Sequence, residues 1–133
     1  MSYYHIHTDG GARGNPGPAA IGVVIKQDGI RVASIKKYIG ETTNNQAEYQ
    51  AVHAALEWVV AQQGKRVDLF ADSELIVKQL RGEYKVKNKD LAPWYIKCHS
   101  LIHQIGPVSF HSIRREQNTA ADALVNEALD ERQ

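Results

Sequence analysis

Thr8-Asp9-Gly10-Gly11-Ala12-Arg13-Gly14-Asn15-Pro16-Gly17-Pro18 leads into the apolar run Ile21-Gly22-Val23-Val24-Ile25. Upstream of it, Tyr3 to Asp9 alternates loosely between polar and apolar residues and stops at glycines, which is the pattern of a strand followed by a loop. Downstream, Ala20 to Lys26 and Arg31 to Ile39 are apolar, β-branched runs separated by Asp28-Gly29, a pair suited to a tight hairpin turn. The segment up to Ile39 therefore reads as three strands, with Asp9 standing where the first gives way to its loop.

From Asn44 to about Gln62 the residues Ala47, Ala51, Val52, Ala55, Leu56, Val59 and Val60 recur at helical spacing, and Gly64 stops the helix. Glu48 falls in its first turns, on the inward face. Val67 to Ala71 reads as a short buried strand with Asp72 at its carboxyl end, and Ser73 to Leu80 as a short helix. Gly82 to Lys89 is a polar, lysine-rich connection. Leu91 to Gln104 is a helix with Pro93 in its first turn, Val108 to Ile113 a last strand, and Thr119 to Asp130 a closing helix. This order implies an α/β fold, a five-stranded mixed sheet with helices on both faces. In open sheets of this kind, sites gather at the carboxyl ends of central strands, where Asp9 and Asp72 would both lie.

At 133 residues the chain reads as a single domain, 1–133, large enough to bury a core without disulfides or structural metal. No apolar run approaches the roughly 18 to 20 residues of a membrane span, and the N-terminus is polar rather than basic and then apolar. No membrane partner, a cytoplasmic location and a monomer are expected. The single Cys98 has no internal partner, in keeping with a reducing compartment. Net charge is only +1, so attraction to a polyanion must come from local clustering, and Lys78, Arg81, Lys85, Lys87 and Lys89 form such a cluster. The same cluster reads equally well as a solvated face.

Four acidic residues sit at local breaks in the pattern: Asp9 before Gly10-Gly11, Glu48 after Thr42-Thr43-Asn44-Asn45-Gln46-Ala47, Asp72 between Ala71 and Ser73, and Asp122 after Asn118-Thr119-Ala120-Ala121. With these motifs in this order, the chain resembles the type 1 ribonuclease H family from Tyr4 to about Leu129. The resemblance implies the ribonuclease H-like fold and an endonuclease that cuts the RNA strand of RNA/DNA hybrids, leaving a 5′-phosphate and a 3′-hydroxyl. It also implies that Asp9 and Asp72 bind the metal ions directly, that Glu48 holds one ion and touches the RNA, and that Asp122 completes the second site.

The residue chemistry agrees with that expectation. Phosphodiester hydrolysis needs an activated water, neutralised charge on the phosphate and a stabilised leaving oxygen, and two divalent ions about 4 Å apart meet all three needs. A cluster of carboxylates repels itself, and that repulsion becomes affinity for cations. Magnesium is hard and prefers oxygen, so two Mg2+ are expected, with Mn2+ able to substitute.

Many family members carry a histidine before the last helix, whereas this loop reads Arg114-Arg115-Glu116-Gln117-Asn118. Arg115 is the candidate for the vacant role; a guanidinium acts there electrostatically, because it does not shuttle protons at neutral pH. Telling RNA from DNA requires contact with the 2′-hydroxyl, which suits amide side chains. By resemblance, Asn15, Asn44 and Asn45 reach the minor groove of the hybrid, Thr43 and Asn88 contact phosphates of the DNA strand, and Gly10 and Gly11 belong to the substrate-binding set. Several relatives insert a basic helix after Leu80; here that handle is short, leaving Lys85, Lys87 and Lys89 to track phosphate, with binding that salt weakens steeply. Glu41 and Glu74 stand where relatives often place arginine and glutamine, and both predict reduced affinity for a polyanion.

Each motif also has a structural reading. Asn45 with Glu48, and Thr119 with Asp122, have capping-box spacing; Asp72 has the position of an N-cap; Gly14-Asn15-Pro16-Gly17 suits an ordinary turn. His99 and His103, four apart on one helix, lack a third ligand for zinc, and Trp58 and Trp94 read as core anchors. Two other functions remain open from the sequence: a catalytically weak hybrid-binding module, and a nuclease of the same fold acting on double-stranded RNA or branched DNA.

Overall fold

The computed structural model describes residues 3–132; Met1, Ser2 and Gln133, which the expected 1–133 domain includes, lie outside the described residues. The first three strands, β1 (Tyr3–Ala12), β2 (Gly17–Gln27) and β3 (Ile30–Thr42), form an antiparallel meander. The β2–β3 turn is made by Asp28 at φ 55° and Gly29 at φ 78°, the left-handed pair that matches the twist of a hairpin. Helix α1 (Asn44–Ala61) then crosses over to β4 (Arg66–Ala71), which runs parallel to β1. Helices α2 (Glu74–Leu80) and α3 (Ala92–Ile105) lead to β5 (Val108–Ser112), parallel to β4, and a short 3₁₀ turn precedes α4 (Thr119–Glu131). The sheet order is β3-β2-β1-β4-β5.

Alternation along the strands assigns the two faces. Ile6, Val23, Ile25, Val67 and Leu69 pack with Val52, Ala55, Leu56 and Val59 of α1 in the main core. Each fully buried aliphatic side chain of this kind contributes about 1.5–3 kcal/mol. Gly22 and Ala20, of opposite parity on β2, face α4, where Ala20 packs with Val125, Ala128 and Leu129. A Cβ on Gly22 would stand 2.3 Å from the carbonyl oxygen of Ala121, so the absence of a side chain there lets α4 lie directly on β2. Trp58 and Trp94 are partly buried against the main core, Trp58 edge-on to Tyr4 at 5.1 Å.

Four boundaries differ from the sequence reading for a physical reason that the structure shows. β1 continues past Asp9 to Ala12 because Asp9, Gly10, Gly11 and Ala12 pair in register with Gly22, Ile21, Ala20 and Ala19; the neighbouring strand supplies the ladder that the glycines alone do not favour. β2 begins at Gly17 and β3 runs to Thr42 for the same reason, since Gly17 pairs with Thr42. Ser73 is the N-cap of α2 rather than its first helical residue, its hydroxyl accepting from the N–H of Ile76 at 3.4 Å.

Candidate active site

Parallel pairing of β1 and β4 sets the geometry. Thr8 stands opposite Ala71, so Asp9 and Asp72, each one residue further on, emerge side by side at the same end of the central pair. Glu48 reaches them from α1, whose backbone comes so close to β1 that a Cβ on Gly10 would lie 2.2 Å from the Ala47 carbonyl oxygen. The Gly10 N–H donates to Glu48 Oε1 at 2.9 Å, locking the carboxylate toward the strand end. One carboxylate oxygen from each of Asp9, Glu48 and Asp72 lies within 4.8 Å of the others. Asp122, in the first turn of α4, lines the same 610 Å³ pocket as Asp9.

Asp9 and Glu48 are each only 8% exposed. Burial pushes the Asp9 carboxyl up to about 8, helped by the charges of Asp72 and Asp122 and the hydrogen bond with Asp122, while the Gly10 N–H acts in the opposite direction. Burial likewise holds Glu48 well above the usual carboxylate range, with Asp9 and Asp72 adding to the effect and the Gly10 N–H and the positive Arg115 opposing it. Protons are retained because three anions share a space too small and too dry for all to ionise unaided. A partly buried set of oxygen-only donors fits hard divalent cations.

Among the described residues, the capping alternatives do not hold for these acids. The N-cap of α1 is Thr43, whose hydroxyl accepts from the Gln46 N–H at 3.2 Å, so Glu48 is free of a capping box. Ser73 rather than Asp72 caps α2, and α4 starts at Asn118 without a side-chain cap bond.

The remaining expected residues fall into three places. Gly10, Gly11, Asn44 and Arg115 line the pocket with the acids, Arg115 exposed at its rim. Asn15 sits beside them: its Oδ1 accepts from the Asn44 N–H at 3.0 Å, and Asn44 Oδ1 accepts from the Ala12 N–H at 2.8 Å, tying the β1–β2 loop to the start of α1. Asn45 is exposed next to this tie, and Thr43 spends its hydroxyl on the helix cap. Lys85, Lys87, Lys89 and Asn88 lie outside the pocket on the exposed α2–α3 connection, where Asn88 Oδ1 accepts from the Asp90 N–H at 2.7 Å. Glu41 is exposed, and Glu74 is paired with Lys78 at 3.0 Å, so part of its expected repulsion is already compensated. Arg13, Ser73 and Asn126 also line the pocket, and the Asn118 amide donates to the Asp72 carboxylate. The sequence reading passed over these four as site residues, because each has the form of ordinary loop or helix-surface chemistry.

Residues 7–128 match a family model described as reverse transcriptase-like. The crystal structure of ribonuclease H1 from the halophilic archaeon Halobacterium salinarum superposes with a TM-score of 0.93 at 41% identity, covering 98% of this chain and 99% of that one. The chain belongs to the type 1 ribonuclease H family. A second ribonuclease H1, isolated from compost and solved in complex with an RNA/DNA hybrid, is 46% identical with a TM-score of 0.91, covering 96% of each chain. A bifunctional protein of Mycobacterium tuberculosis is 39% identical over 127 residues, 94% of this chain and 35% of that protein, so the chain spans about a third of the length of the curated relatives it matches first. Among the described residues, no helix is long and apolar enough to cross a membrane.

Proposed function

We propose that this ribonuclease H hydrolyses the RNA strand of RNA/DNA hybrids with two Mg2+ ions, leaving 5′-phosphate and 3′-hydroxyl ends, and that Mn2+ can replace Mg2+. The observation that carries the reading is the convergence of Asp9, Glu48 and Asp72 to within 4.8 Å in a partly buried, oxygen-only cluster. The hybrid complex of the compost relative, at 46% identity over nearly the whole chain, supports the choice of substrate.

Asp9, Glu48, Asp72 and Asp122 would hold the ions, whose chemistry when bound is to neutralise phosphate charge and ready a water for attack. The protein's own residues do the rest. Asn44 and Asn15, fixed by their mutual hydrogen bond, present amide groups beside the pocket for the ribose hydroxyl, and Asn45 extends the same edge. Arg115 stands at the rim with a permanent positive charge toward the scissile phosphate or the departing product. Gly10 and Gly11 line the pocket on β1 and belong to the substrate-binding edge, Gly10 also letting α1 press close enough to present Glu48. Thr43, Asn88 and the lysines at 85, 87 and 89 provide contacts to the DNA strand. Residues 1–133 act as one domain, as a monomer and in the cytoplasm.

Cleavage of an end-labelled hybrid in Mg2+ tests the reading. Asp9→Asn and Asp72→Asn are expected to lower kcat by more than the roughly 10–100-fold typical of losing an outer partner of a metal site. Duplex RNA and duplex DNA should compete poorly and stay uncut. Tight hybrid binding without cutting would point to a binding module, and cutting that survives removal of every 2′-hydroxyl from the substrate would refute the role given to the asparagines.

A further inference from the structure

Asn118 is 1% exposed and occupies the N-cap position of α4. An asparagine there ordinarily turns its Oδ1 back to accept from an N–H in the first turn of the helix. Here no such bond forms, and Oδ1 is buried without a partner among the described residues. The amide nitrogen instead donates to the Thr8 carbonyl oxygen at 2.9 Å and to Asp72 Oδ2 at 3.1 Å. The backbone carbonyl of the same residue accepts from the Asp122 N–H at 3.1 Å. One side chain and its backbone therefore touch the residue before the first acid, the third acid itself and the backbone of the fourth.

Helix capping does not account for this orientation, because a buried acceptor left unpaired is unfavourable and the cap would have satisfied it. Holding Asp72 does account for it. Asp72 stands beyond the last residue of β4, where the strand ladder no longer restrains it, with carboxylate oxygens of Asp9 and Glu48 within 4.8 Å. A lysine or arginine could hold it in place, but would carry a charge that competes with a cation. A neutral amide restrains the carboxylate and leaves the pocket negative.

We propose that Asn118 is a positioning residue that fixes the Asp72 carboxylate in the orientation a divalent cation requires. This rests on the cation site of the proposed function, although not on its substrate. The test is Mn2+ binding to the free protein, without nucleic acid, by titration calorimetry and by the rise in Tm on adding the ion, for wild type and Asn118→Ala. The expected result is an affinity loss of about 10-fold or more and a smaller metal-induced rise in Tm, beyond any drop in the metal-free Tm. A purely structural role would lower the metal-free Tm and leave affinity alone. Should Asn118→Ala fail to fold, Asn118→Ser, which keeps a small polar group, carries the same expectation. An affinity within about threefold of wild type, well short of the 10–100-fold typical of such partners, overturns the proposal, as does a wild type that binds no Mn2+. A wild type that binds Mn2+ yet leaves hybrids intact overturns the proposed function instead.

Discussion

Asp9 and Glu48 carry opposite demands, since the fold buries them and cation binding needs them ionised. The raised value of about 8 for Asp9 has a consequence for the metal-free protein. An unfolded aspartate ionises near pH 3.9, so between about pH 4 and pH 8 the folded state binds more protons than the unfolded one. Stability from this group is therefore greatest at low pH and is lost as pH rises toward 8; Glu48, displaced in the same direction, adds to the trend. His7, His53 and His99, each lowered by burial, act in the opposite direction up to about their unfolded value of 6.5, so chelator-treated protein should show a Tm that falls from pH 7 to pH 8, and Mg2+ should restore more of it at pH 8 than at pH 7. A Tm that is flat or rising over that window would contradict the arrangement. Asp68 does not interfere: burial raises its carboxyl, but hydrogen bonds from Tyr3 and His111 outweigh that and leave it lowered, so its influence falls below the window. The four acids were visible in the sequence because each interrupts a strand or helix pattern. Asn118 was not, because an asparagine just before a helix has an ordinary structural reading, and only coordinates show the side chain turned the other way.

At the scale of elements, the contact between α1 and β1 is the one most exposed to single changes. Gly10→Ala would place a methyl 2.2 Å from the Ala47 carbonyl oxygen, a clash with backbone rather than with a movable side chain. The expected cost is about 3 kcal/mol or more, read by denaturant unfolding, together with loss of hybrid cleavage as α1 carries Glu48 away from the strand end. Leu56→Ala, in the buried middle of the same helix, should cost about 2–5 kcal/mol through its cavity but leave the proposed Mg2+-dependent cleavage by the folded protein unchanged. The comparison separates damage to the core from damage to the site. Helical spacing and the Asp28-Gly29 turn made these elements readable in advance. The strand ends were harder, because the pairing of Gly10 to Ala12 with β2 is a long-range effect that local propensity opposes. The cap of α1 was ambiguous for a different reason: Thr42, Thr43, Asn44 and Asn45 all favour that position, and only the turn of the backbone at Thr43 decides among them.

For the whole molecule, a formal charge of +1 offers little general attraction to a polyanion, so the distribution of charge decides binding. Lys85, Lys87 and Lys89 are exposed together on the α2–α3 connection, away from the acidic pocket. Replacing all three with alanine should weaken hybrid binding, and the slope of log affinity against log salt should become shallower by roughly 0.7–0.9 for each phosphate that is no longer neutralised. An unchanged slope would show that this connection does not touch the hybrid.

The way α4 closes the sheet also bears on how the chain is made. The last helix lies across β1, β2 and β3, strands that are synthesised before it, and seals Ala20 with Val125, Ala128 and Leu129. Vectorial synthesis thus presents the meander with one greasy side bare until α4 has been translated. A nascent or prematurely terminated product lacking that lid is a natural client for holdase chaperones and proteases, whereas the finished chain conceals the strip.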